Sequence, residues 1–321
     1  MLPDLRTREG FDALREAGYG FSVFDRPQNF KMQAEILDVA VKTAGSLTAV
    51  PETIYDTSYF VLDSLLASPQ GFEFFPRFPK EEVGMFCRLA VESRTNGLAI
   101  PMVAPVCPDY RGHYQLFDEV DDTAERVINN LVTLKDFFGK RNFPFFIQMH
   151  VADVEAFEPL ILQAAGETTE SFLRKTSGSI AVTQERIHQL GLEGIIQCGS
   201  MLEAFSQAEV DYFAFKMANT QEIMNHEGKK VRRTIEALTI ERVRLGDFDL
   251  VDQNNHKKMA AEELVHYATY GDLIDGRAVI LSPDTLSPMP AYNFLRNGKS
   301  KLFNPTIYLK PIKASRELYE S

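Results

Sequence analysis

Tryptophan is missing from the 321 residues, and cysteine occurs only three times, at Cys87, Cys107 and Cys198. The cysteines form no C-x-x-C pair and no metal-ligand spacing, so a reduced intracellular compartment is the simplest setting. No apolar run approaches the roughly 18 residues of a membrane span. The opening segment, Met1-Leu-Pro-Asp-Leu-Arg-Thr-Arg-Glu9, is charged and lacks the apolar h-region of a secretory signal. A cytoplasmic protein is expected. Positive charge is also scarce: 34 Lys and Arg face 45 Asp and Glu, for a net charge of −11 and a pI near 5.1. That balance disfavours a general attraction to a nucleic-acid backbone.

Familiar cofactor loops are absent as well. Gly191, Gly194 and Gly199 do not make G-x-G-x-x-G, and they precede or end a strand in the wrong order for a dinucleotide fingerprint. Gly298-Lys299-Ser300 has the ending of a P-loop, but Asn293 stands where the first glycine is needed. Cys198-Gly199-Ser200 lacks the G-x-S-x-G elbow of a hydrolase nucleophile, and reads instead as the start of a helix with Ser200 as N-cap. The sequence therefore names no cofactor and no metal, and it leaves the oligomeric state open.

What is present is phenylalanine, 24 of them, which without a polar handle reads first as core filling. The apolar fraction of 45% with 25% charged residues is ordinary for a globular protein, and the length suits one large α/β domain, with or without a helical appendage. The most informative feature is a set of four short apolar runs, each ending on chemically capable residues. Ile100–Val106 stops at Cys107-Pro-Asp-Tyr110, and Pro144–Met149 stops at His150 with Asp153 and Glu155 behind it. Gly194–Gln197 stops at Cys198-Gly-Ser200, and Ala278–Leu281 stops at Ser282-Pro-Asp-Thr285. Short continuous apolar runs separated by amphipathic stretches suit parallel strands buried on both faces. Ligands of such sheets bind outside the carboxyl ends of the strands, which is where these clusters would lie.

Before residue 95 the periodicity is helical. Met32, Ile36, Leu37, Ala40 and Val41 form one stripe, Ile54, Tyr55, Val61, Leu62, Leu65 and Leu66 a second, and Val83, Phe86, Cys87, Ala90 and Val91 a third. Residues 1–95 are expected to form a helical N-terminal subdomain or cap that gives no strand to the centre of the sheet. From Asn96-Gly97 onward strands alternate with helices: strands at 99–106, 144–150, 194–198, 278–282 and 306–310, and helices near 121–138, 168–189, 201–225, 228–244 and 257–270. This order predicts a Rossmann-like, mainly parallel α/β core over 96–321, with right-handed crossovers.

Several residues could carry chemistry at the predicted rim. Pro105 and Pro108 stiffen the chain around Cys107 and Asp109. Asp109 and Tyr110 could bind a substrate or act as base and acid, or Asp109 could bond its own turn and Cys107 simply pack. His150 titrates near neutrality, and Asp153 and Glu155 could orient it or handle protons, although a polar strand-to-helix loop would look the same. In an extended chain Asp153 and Glu155 would face away from His150; a turn would erase that parity. Ser282-Pro-Asp284-Thr285 and Asn293 offer hydroxyl, carboxylate and amide groups at the last cluster. Asp109, His150 and Glu155 are the catalytic candidates, and Cys107, Tyr110, Asp153, Asp284, Thr285 and Asn293 the substrate-binding ones. Elsewhere Asp247-Phe-Asp249 has the D-x-D form of metal-using glycosyltransferases, and equally that of a solvated connector. Lys229, Lys230, Arg232 and Arg233 could hold a phosphate, but on a helix they spread across two flanks and read first as a solvated face.

The order of these features resembles the isonitrile synthase family, which also includes proteins of fungal dityrosine-type biosynthesis. The resemblance covers residues 96–160: a strand ending in the Cys107-Pro108-Asp109 turn, a helix, and a second strand ending near Asp153. The family's basic, glycine-containing segment after its first strand has no counterpart here. The resemblance implies a Rossmann-like core preceded by helices, with Asp109 and Asp153 at matching positions, and an enzyme acting on an amino acid or similar small amine. The leading expectation is thus a small-molecule biosynthetic enzyme, a transferase or lyase, whose partner is its substrate. A metal-dependent glycosyl- or nucleotidyl-transferase using Asp247 and Asp249, and a non-catalytic small-ligand-binding protein, are the alternatives.

Overall fold

The computed structural model describes residues 27–66, 72–74, 80–106, 110–111, 115–116, 122–225, 253–282 and 304–309. The chain opens with three helices, α1 (Pro27–Leu47), α2 (Pro51–Leu66) and α3 (Lys80–Asn96), with a short strand, β1 (Phe72–Phe74), between the last two. Gly97, at φ +66°, supplies the left-handed turn that ends α3 and starts the first central strand, β2 (Ile100–Val106). A small ribbon of β3 (Tyr110–Arg111) and β4 (Gln115–Leu116) precedes α4 (Asp122–Gly139) and β5 (Phe145–Val151). A 3-10 turn over Asp153–Phe157 leads to α5 (Pro159–Ala165), α6 (Thr169–Gln189) and β6 (Ile196–Ser200). Then come α7 (Met201–Gln207), α8 (Tyr212–Asn225), α9 (Gln253–Ile274), β7 (Val279–Ser282) and β8 (Thr306–Leu309).

The main sheet has the order β1-β8-β7-β2-β5-β6. Five of its strands, β2, β5, β6, β7 and β8, run parallel, and β1 pairs antiparallel with β8 at the edge. The fold is α/β and Rossmann-like. The chain steps outward from β2 to β5 and β6, then returns to the other side of β2 for β7 and β8. The switch point therefore lies between β2 and β7.

Proline shapes that junction. The Ile100 N–H donates to the Pro144 carbonyl at 2.7 Å, and the Ala152 N–H to the Val106 carbonyl at 2.8 Å. Even-numbered groups of β2 thus address β5, and odd-numbered ones address β7. Pro101 and Pro105, which have no N–H to give, both fall on the β7 side. Pairing there is confined to Met102 and Val103 against Val279 and Ile280, whereas β2 pairs with β5 along all of Ile100–Val106.

The two faces of the sheet bury different cores. Phe145, Ile147, Met149 and Val151 of β5, with Ile196 and Cys198 of β6, pack against α1 to α4 and Ile187 of α6. The expected stripe of α4, Val127, Leu131, Leu134 and Phe138, lies in that core, as do Val83, Phe86, Cys87, Ala90 and Val91 of α3. Phe60 stacks on Phe143 with ring centres 3.8 Å apart and meets Phe138 edge-on at 5.4 Å, so phenylalanine does fill the core. The opposite face buries Val103 and Ile280 beneath Met201, Phe205, Tyr212, Leu264, Val265 and Tyr270 from α7, α8 and α9.

Two elements differ from the sequence reading. β1 lies within a stretch read as helical, because three residues are too few to display a period. The single helix expected over 201–225 is two. Glu209, at φ +55°, breaks it, and Asp211 restarts it by accepting from the Phe213 and Ala214 N–H groups at 2.9 and 3.1 Å. The helix expected near 228–244 lies outside the described residues.

Candidate functional site

The carboxyl end of β5 places His150, Asp153 and Glu155 within a few residues of one another, and the 3-10 turn over Asp153–Phe157 removes the extended-chain parity. His150 lies on the α7–α9 face, by alternation with Ile147, Met149 and Val151 on the other. Its Nδ1 is 2.9 Å from the hydroxyl of Tyr270 on α9, and the two rings meet edge-on with centres 5.9 Å apart. Burial lowers the His150 imidazole to about 4 from its ordinary value, so the ring is neutral at physiological pH. Burial likewise pushes the Tyr270 phenol up.

Beside His150 the face is open. His150 pairs in register with Gly199, and Gln148 with Gln197. Both glutamines are exposed, and a Cβ added at Gly199 would meet nothing within 4 Å. The result is an uncovered polar strip across β5 and β6, here termed the trough, with the imidazole at its carboxyl end. Gly199 is what keeps the trough empty beside the ring.

Asp153 is held from two sides. One carboxylate oxygen accepts from the Ser200 hydroxyl, the other from the Leu202 N–H at 3.0 Å. Burial raises its pKa, and these hydrogen bonds with those of the Met201 and Asp153 N–H groups pull it back. Ser200 also caps α7 as expected, accepting from the Glu203 N–H at 3.0 Å. Asp153 therefore ties the end of β5 to the start of α7. Glu155 is half-buried, and its charge together with that of Asp153 adds to burial in raising the Tyr212 phenol.

Behind the turn lies a polar group that sequence reasoning missed. Glu158 is buried, with 2% of its surface exposed, and its carboxylate accepts from Lys216 of α8. The same oxygen lies 3.1 Å from Nε2 of His266 on α9, whose Nδ1 is 3.3 Å from the Tyr212 hydroxyl. Burial lowers the Lys216 amine, with Glu262 opposing the shift. Asn219 of α8 donates to Asp272 of α9 at 2.9 Å. The available signal was helical spacing: Glu262, His266 and Tyr270 recur every four residues on α9, and Tyr212 and Lys216 do so on α8.

The remaining candidates divide between backbone and undescribed chain. Tyr110 begins the small ribbon that follows β2. Cys107, Asp109, Asp284, Thr285 and Asn293 lie outside the described residues, as do Asp247 and Asp249. The segments holding Cys107 and Asp109, and Asp284 and Thr285, leave the sheet at Val106 and Ser282, the carboxyl ends of adjacent parallel strands. Among the described residues no cluster of three or more His, Cys, Asp or Glu is arranged to hold a metal ion, and no helix is long and apolar enough to cross a membrane.

No family model and no curated protein matches the chain. Among solved structures, the crystal structure of the PvcA protein from Pseudomonas aeruginosa aligns with a TM-score of 0.42 and 14% identity, over 64% of this chain and 72% of that one. The site's own geometry therefore carries the functional reading.

Proposed function

We propose that the protein is a small-molecule biosynthetic enzyme, a transferase or lyase, acting on an amino acid or similar small amine in the trough between β5 and β6. The open space over Gly199, beside the neutral imidazole of His150, is the observation that carries this reading. Ionisable groups concentrated at a strand end, with their pKa values displaced by burial, are a feature of active sites. The charge balance selects the ligand. Asp153, Glu155, Glu158 and Glu262 bring four carboxyl groups to this end of the sheet, one of which, Glu158, is paired with the Lys216 amine. A negative field of this kind attracts a cation, and an ammonium group is the simplest cation a metabolite offers. In this reading Glu155 receives the amine and His150 meets the other polar end of the substrate. The same reading assigns Asp109 a catalytic role, and Cys107, Tyr110, Asp284, Thr285 and Asn293 contacts with the rest of the substrate. The order of features shared with the isonitrile synthase family points the same way.

A thermal-shift panel of amino acids, simple amines and sugar nucleotides, with and without Mg²⁺ or Mn²⁺, tests the proposal. An amine at one hundred times its Kd should stabilise the fold by about 2.7 kcal/mol, or several degrees. That shift should vanish in Gly199→Val, in which a β-branched side chain fills the trough without straining the strand. Stabilisation only by sugar nucleotides with metal would contradict the proposal and favour the site at Asp247 and Asp249.

A further inference from the structure

Tyr270 is buried, with 1% of its surface exposed, and its hydroxyl lies 2.9 Å from Nδ1 of His150. Among the described residues, that ring nitrogen is the one polar atom the phenol reaches. Two arrangements of protons fit the distance. If Nδ1 carried the proton and gave it to the phenol oxygen, the phenol's own proton would be buried without an acceptor. If the phenol donates, both groups are satisfied, Nδ1 is the acceptor, and the imidazole proton resides on Nε2. The second arrangement is favoured because a fully buried O–H almost always donates.

We infer that Tyr270 is a positioning residue that holds His150 as the Nε2–H tautomer, so that His150 serves the trough as a neutral hydrogen-bond donor to an oxygen of the substrate. This deepens the amine reading and rests on it. The substrate carries an acceptor oxygen, a carboxylate or carbonyl, at the end away from its ammonium group, and His150 neither takes a proton at Nε2 nor presents a charge. The trough beside the ring gives such an oxygen room, since Gly199 offers no side chain there. Gln148 and Gln197, exposed on the same face, extend the row of neutral polar groups along which the rest of the substrate can lie. Burial acts in the same direction by opposing the imidazolium.

Protein labelled with ¹⁵N-histidine decides the matter in long-range ¹H–¹⁵N spectra at neutral pH, with the His150 signals assigned by their loss in His150→Gln. The expected spectrum shows an unprotonated Nδ1 and a protonated Nε2, in one tautomer, and Tyr270→Phe converts it into a mixture of both tautomers. A protonated Nδ1 in the wild type overturns the inference. So does an unchanged single tautomer in folded Tyr270→Phe. Should that variant fail to fold, the wild-type spectrum alone still decides which nitrogen bears the proton. The spectra need no ligand, so this inference and the amine reading fail separately: a silent amine panel would sink the latter while leaving the tautomer as observed.

Discussion

His150 is coupled to stability through its burial. The folded state holds its pKa near 4, below the ordinary 6.5. As pH falls, the unfolded chain therefore takes up the proton first. The contribution is complete above about pH 6.5 and is lost progressively towards pH 4, amounting to about 3 kcal/mol across that window. Denaturant titrations at a series of pH values should show this loss in the wild type and a smaller one in His150→Gln. Replacing His150 by Ala should also leave the Tyr270 hydroxyl buried without its acceptor, at a cost of about 1–3 kcal/mol. Cys87 behaves differently. It is buried in the core, its thiol donates to the Ala40 carbonyl at 3.2 Å, and burial pushes its pKa up to about 12. Alkylating reagents should leave Cys87 unmodified in the native protein and modify it only after unfolding.

Among the elements, the packing of α8 on α9 carries a buried charge. Glu158 is buried in it beside the partly exposed Lys216 and His266. Removing one charge of a buried pair is costly, while replacing both can be nearly neutral. Lys216→Met should therefore lose about 3 kcal/mol, and Glu158→Gln combined with Lys216→Met should recover a large part of it; equilibrium unfolding of the two single variants and the double variant checks this. The elements themselves were largely legible in the sequence. The stripes of α3 and α4 are long enough for their period to be read, and the apolar runs of β2, β5 and β7 are marked by the polar clusters that end them. The position of His150, Asp153 and Glu155 together at the end of β5 was legible because they follow an apolar run directly. Glu158, Lys216 and His266 were not, since their meeting depends on how α8 and α9 face each other. The break at Glu209 was hidden for a related reason: no glycine or proline marks it, and only Asp211 hints at a new helix.

At the scale of the whole molecule, the helices before β2 and the parallel sheet share one hydrophobic core. Phe60, Phe86 and Leu62 pack in the same cluster as Ile100, Met149, Leu281 and Ile307. A chain starting at residue 96 would uncover that face of the sheet, so it should aggregate or show exposed apolar surface by dye binding, unlike the full chain. The opposite face is where the molecule can spend its chemistry. Its covering helices bury Val103 and Ile280, leave Gln148 and Gln197 open, and bring Tyr270 to His150 at the carboxyl end of β5. The central claim is that a small amine binds at this edge, and a crystal structure of the full chain with the amine that stabilises it most tests that claim directly. The account predicts the ligand over Gly199, with its ammonium group at Glu155 and an oxygen within hydrogen-bond distance of His150 Nε2. An amine bound on the other face of the sheet, or a metal and ligand bound at Asp247 and Asp249 with the trough empty, would contradict it.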